Sequence, residues 1–277
     1  MGILLGVVAA ILLGVSDFCA ARASRSIHSL TVTRTALGVS AILMTLLLTM
    51  VTSRWTSRDT LIGALSGLSM MTGLALLYRG YSIAKMGAVA PSSSVVLSAV
   101  PVLWDATHGR YPGALGLVGI GLGLIGVVAA TWDPSGSGST RLGLLLGVTS
   151  GVFFGVAFTL MSETDKSAGL SPAVAQRAAG FAVLMLVATR HRIPVLATRD
   201  PERRWAIATG IAGGVAIAAL QLGFQRGDAG PVGVASSQFA SVAVVLAAVF
   251  SKEKLRTMQW LGVAVAGIGV ALLALSA

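Results

Sequence analysis

The sequence is short of cysteine, charge and aromatic rings, and each shortage excludes a class of protein. One cysteine, Cys19, leaves no disulfide and no thiolate metal cluster within a chain. The three histidines, His28, His108 and His191, fall in predicted loops far apart and show no metal-ligand spacing. No metal and no cofactor is expected. Charged residues are 11% of the chain, where a soluble domain would carry roughly a quarter. Acids are scarcest, ten against twenty Lys and Arg, for a net charge of +10. Aromatic residues are 6% and do not interleave with a basic patch, so the charge does not point to nucleic acid. There is no HExxH, Walker A, GxSxG or Cys/His cluster, and no enzyme is expected.

What is present is apolar. Hydrophobic residues are 55% of 277, and mean hydropathy is +0.86. A spanning helix needs about 20 mostly apolar residues, so the chain can hold about ten. Runs bounded by charge, proline or polar turns lie near 2–21, 30–51, 60–84, 87–104 and 113–132, then 141–161, 172–189, 204–226, 230–250 and 257–276. No gap is long enough for a soluble domain. Residues 1–23 read as the first span rather than a cleaved leader, because no basic stretch precedes the long apolar run.

The chain is written twice. Gly14 and Val15 match Gly155 and Val156 at an offset of 141; Arg34 matches Arg177, and Ser93, Ser94 and Ser98 match Ser236, Ser237 and Ser241, at 143. The expected units are 1–132 and 141–277, joined by a Gly/Ser-rich linker at 133–140. Five spans per copy would bring the second copy in from the opposite side, an inverted repeat of the kind found in secondary transporters. The gaps after spans 1, 3, 5, 7 and 9, counted with the span ends that border them, hold twelve Lys or Arg and the others five. The positive-inside rule then puts the first set in the cytoplasm and both termini outside. Arg-over-Lys bias with Ala and Gly richness suggests a GC-rich bacterial genome, and the expected location is the bacterial cytoplasmic membrane. Glycines repeat at Gly143, Gly147, Gly151 and Gly155, echoed by Gly2, Gly6 and Gly14, and read as close helix contacts.

Ionisable groups within spans cost about 2.5–3.5 kcal/mol each and need a reason. Asp17 has Phe158 as its repeat partner, and symmetry breaking makes it a candidate for substrate or proton binding, or for pairing with Arg34. Arg34 and Arg177 are equivalent, so an architectural role stands beside anion recognition. Tyr78, Arg79 and Tyr81 on span 3, with Gln221 and Gln225 on span 8, are interface anchors or cavity lining. Ser94 with Ser98 and Ser237 with Ser241 are i, i+4 pairs that either bond across helices or face a wet cavity. Trp104, Asp105 and Gln238 have no match in the other copy.

Two stretches carry a family resemblance. Ala75 to Tyr81 is followed by Gly87-Ala88-Val89-Ala90-Pro91-Ser92, and Ala219-Leu220-Gln221 by Gly230-Pro231-Val232-Gly233-Val234-Ala235-Ser236. The turn from Lys252 through Glu253 and Leu255 to Gln259 and Gly262 is similar to an E-x-L…Q-x-x-G element. Together they resemble the EamA branch of the drug/metabolite transporter superfamily over the whole chain. The first copy departs from the pattern, with Asp105 to Arg110 in place of the acidic turn and Leu13-Gly14 where the family carries Trp-Gly. Glu253 is read as structural. The resemblance implies an all-α membrane protein of ten transmembrane helices, two inverted five-helix repeats around a central cavity. It implies export of small amino-acid-like or drug-like metabolites by alternating access. Asp17, the acid that breaks the repeat, is the expected coupling residue if protons drive the cycle. The expected partners are a small-molecule substrate and the lipid bilayer. A lipid-linked head-group flippase and a non-transporting membrane scaffold are the alternatives.

Overall fold

A computed structural model describes residues 1–84, 86–111, 113–131, 140–191, 202–251 and 257–276. The 133–139 join, the 192–201 segment and the 252–256 turn with Glu253 lie outside the described residues. The described residues form eleven α-helical segments and no strand. These are α1 (Gly2–Ala23), α2 (Ser29–Leu47), α3 (Ser57–Ile83), α4 (Met86–Thr107), α5 (Ala114–Thr131), α6 (Thr140–Ser162), α7 (Ser171–His191), α8 (Arg203–Phe224), α9 (Ala229–Ser237), α10 (Phe239–Ser251) and α11 (Thr257–Ser276).

Each expected span has its helix, with two shifts that local chemistry explains. α3 starts at Ser57 rather than near 60 because Thr56 caps it. Thr56 Oγ1 accepts the Asp59 N–H at 3.0 Å and donates to Asp59 Oδ2 at 2.7 Å, a reciprocal cap that fixes the first turn. The ninth span is not one helix but two. Gln238 Nε2 donates to the Val234 carbonyl at 3.3 Å, taking the acceptor its own N–H would use, and that N–H turns to Ala235 instead. Among the described residues six helical stretches are long and apolar enough to cross a bilayer by length and composition, the broken Ala229–Phe250 among them. Three shorter apolar helices accompany them at Ala114–Ala129, Ser171–Val187 and Trp260–Leu272.

The first five spans pack on the last five in reciprocal pairs. α1 lies on α8, α9 and α10, while α6 lies on α3 and α4; α2 meets α8 as α3 meets α7; α5 pairs with α11. Glycine permits the approach. A Cβ on Gly14 would stand 2.6 Å from Val242 Cβ and 2.9 Å from the Phe239 carbonyl oxygen; one on Gly155 would stand 2.6 Å from Val100 Cβ and 3.1 Å from the Leu97 oxygen. Lipid tails supply no hydrophobic drive between helices, so such backbone contact does the work of association. On the other side of α6, Leu145, Val148, Val152 and Val156 are exposed, as are Leu4, Val8 and Ile11 on α1. An apolar outer surface over a small-residue interior is what a hydrocarbon solvent selects.

The end of the bundle where α1 begins and α6 ends is tied by polar contacts between loops. The Arg54 N–H donates to the Ser167 carbonyl at 3.2 Å, the Leu170 N–H to Ser53 Oγ at 2.9 Å and the Asp165 N–H to Asp59 Oδ1 at 3.1 Å.

Candidate functional site

A cavity opens at mid-depth where α1, α2, α3, α4, α6, α7, α8 and α10 converge. Its wall is mostly apolar, with Leu37, Leu74, Phe154, Phe158, Ile217 and Phe239, and its polar groups are Ser16, Asp17, Ser40, Tyr78, Arg177 and Thr209. Its volume is about 40 Å³, room for a few waters and no more. As it stands the site is too small to hold a metabolite.

Three of the residues expected from sequence meet here: Asp17 from α1, Tyr78 from α3 and Arg177 from α7. Tyr81 stands behind them, its hydroxyl donating to Asp17 Oδ2 at 2.9 Å, and its ring stacks on Tyr78 with centroids 6.2 Å apart. The Asp17–Arg34 alternative is not what forms. Arg34 is 1% exposed but lies off the cavity, its Nη2 donating to Thr31 Oγ1 at 3.4 Å.

The other candidates are placed elsewhere. Arg79 is exposed. Ser98 and Ser237 bond neither across helices nor into a wet cavity; their hydroxyls donate back to their own helices, at the Ser94 and Val234 carbonyls. Ser94 is fully buried off the cavity. Gln221 donates to Thr164 Oγ1 at 2.9 Å and Gln225 to the Gly169 carbonyl at 2.8 Å, so both tie α8 to the α6–α7 loop. Trp104 Nε1 donates to Glu163 Oε1 at 2.8 Å, and Asp105 accepts the Gly230 N–H at the start of α9. Arg110 bridges Asp105 and Glu163, each at 3.3 Å. Burial opposes ionisation of Glu163, but the Trp104 and Arg110 bonds outweigh it and hold the carboxyl below its usual range. Gln238 and Ser241 line a separate apolar crevice between α1, α9, α10 and α11.

Ser16 and Thr209 are cavity residues that sequence reading passed over. The Ser16 hydroxyl donates to the Thr209 carbonyl at 3.0 Å, joining α1 to α8. The repeat held a signal for them. Ser66 matches Thr209 at an offset of 143 and Ala157 matches Ser16 at 141, and Ser66 Oγ donates to the Ala157 carbonyl at 2.8 Å.

No cluster of three or more His, Cys, Asp or Glu suited to a metal occurs among the described residues.

Apolar-faced helices packed around a small polar-ended cavity define a multi-pass membrane protein. The family model described as the EamA-like transporter family matches residues 141–275. That stretch of the chain is similar to the EamA-like transporter family, the same family that the motifs in the sequence resemble. A crystal structure of a protein shares the fold over 99% of this chain and 96% of its own, with a TM-score of 0.77 at 18% identity. At that identity the likeness speaks for the fold alone. No curated protein matches the chain.

Proposed function

We propose that the protein is a secondary active transporter that exports a small metabolite by alternating access through this cavity. The small cavity between helices of both halves, apolar but for six polar side chains, is the observation that carries the reading. Reciprocal packing supports treating 1–132 and 141–277 as two repeats joined by 133–140, and five spans in each would set them in opposite senses. Rocking one set against the other would expose the cavity at each end in turn. The basic residues, twelve against five, favour a cytoplasmic-membrane orientation with both termini outside. The inter-loop ties then close the outer end. Asp17 is the coupling residue in this reading, because it is the acid in the cavity and a hydroxyl already orders it.

Efflux from proteoliposomes loaded with a metabolite mixture tests the proposal, with and without a pH gradient. The expected result is loss of particular solutes, faster with the gradient. No flux of any solute would sink it.

A further inference from the structure

The cavity contains a cation that makes no ion pair among the described residues. Arg177 is 4% exposed and lines the cavity, and its Nε has no hydrogen-bond partner. Among the described residues no carboxylate lies within ion-pair distance of it. Asp17, the acid of the same cavity, is engaged by Tyr81. The repeat partner Arg34 lies off the cavity and donates to Thr31. The two arginines share a sequence position, so architecture alone does not explain why only one reaches the cavity. An unanswered guanidinium at this depth is costly, and a ligand that supplies the missing charge offsets that cost.

We propose that Arg177 anchors the carboxylate of a solute with a compact apolar body, and that such carboxylates are the substrate class of the cavity. The inference rests on the transport reading above. Guanidinium presents a planar fork that fits a carboxylate in two parallel hydrogen bonds. The wall beyond it, Leu37, Leu74, Phe154, Phe158 and Ile217, suits a branched or aromatic body rather than a sugar or a second charge. Asp17 receives the ammonium if the solute is an apolar amino acid, and keeps its Tyr81 bond if the solute is a simple monocarboxylate. With about 40 Å³ available, binding widens the cavity.

Three solutes with one branched body test this in proteoliposomes: leucine, 4-methylpentanoate and 3-methylbutan-1-amine. Wild type is expected to carry one or both acids and not the amine. Arg177→Gln is expected to slow carriage of the acids roughly tenfold to hundredfold, and Arg177→Lys, which keeps the charge but not the fork, to restore part of it. Carriage of both acids means the carboxylate suffices; carriage of leucine alone means Asp17 takes the ammonium. If Arg177→Gln fails to fold, competition on wild type decides, with acids blocking flux and the amine not. Amine carried as well as the acids, or Arg177→Gln carrying acids at the wild-type rate, overturns the anchor and leaves transport standing. So does flux of the metabolite mixture with none of the three solutes carried. Flux of neither the three nor the mixture removes the transport reading, and the anchor with it.

Discussion

The Tyr81 hydroxyl on α3 donates to Asp17 Oδ2 on α1 at 2.9 Å, and both residues are buried. A carboxyl inside an apolar bundle thus has one fixed partner beside a cavity, and α1 is tied to α3 across the first half. Tyr81→Phe is expected to leave that carboxyl without its donor and to lower stability by about 1–3 kcal/mol, read by thermal unfolding in detergent. An unchanged melting temperature would show that the bond does not hold the two helices.

Asp17→Asn keeps the shape of the side chain and removes its proton exchange. Efflux from proteoliposomes is expected to lose its response to a pH gradient while exchange of solute for solute continues. A gradient response equal to wild type takes Asp17 out of the coupling role.

Two glycines predict opposite results. A Cβ on Gly151 would stand 2.5 Å from the Ser93 carbonyl oxygen, whereas one on Gly121 meets nothing within 4 Å. Gly151→Val is expected to force α6 off α4 and to cost about 1–3 kcal/mol or more. Gly121→Ala is expected to be neutral or slightly stabilising, since alanine is the better helix former. Melting curves of the two variants side by side check the contrast.

Glu163 joins Trp104 and Arg110 at the end of the bundle where the loops interlock. Its carboxyl sits below the ordinary value of 4.5. A depressed folded value gives stability that is present above the ordinary value and lost as the pH falls through the folded one. The carboxyl is a third exposed, so the contribution is under about 1 kcal/mol. Protection of residues 163–170 against hydrogen exchange, taken relative to the intrinsic exchange rate at each pH, is expected to fall on acidification below 4.5 in wild type, and to be lower already at pH 7 in Glu163→Ala. Equal protection in both proteins at pH 7 would count against the tie.

Cys19 is buried, 5% exposed, so it is a poor reporter of sidedness. Ser26 and His108 are exposed at opposite ends of the bundle. In a Cys19→Ser background, Ser26→Cys is expected to resist an impermeant thiol reagent in intact cells and His108→Cys to react. The reverse pattern inverts the orientation drawn from the basic loops.

Ten apolar runs at these places were legible in the sequence, and each holds helix, the ninth broken in two, because hydrocarbon solvent forces every backbone group into internal hydrogen bonds and shows itself as long apolar runs. The glycine stripes were equally legible, since close approach needs a missing side chain at every fourth position. The candidate site was legible only in part. Asp17, Tyr78 and Arg177 came from asking which polar groups a bilayer should not hold, and the same question raised Arg34, Ser98 and Gln225, whose partners turned out to be their own helix or a neighbouring loop.

The sequence by itself determined the solvent, the helices and the doubling, since each follows from local composition and spacing along one chain. Which arginine of an equivalent pair faces the cavity was decided only by tertiary structure, as was the donor that Asp17 finds. So was the acceptor that Gln238 takes from its own helix. Those outcomes depend on the rotation and depth of each helix against partners more than a hundred residues away, and spacing along the chain does not record them.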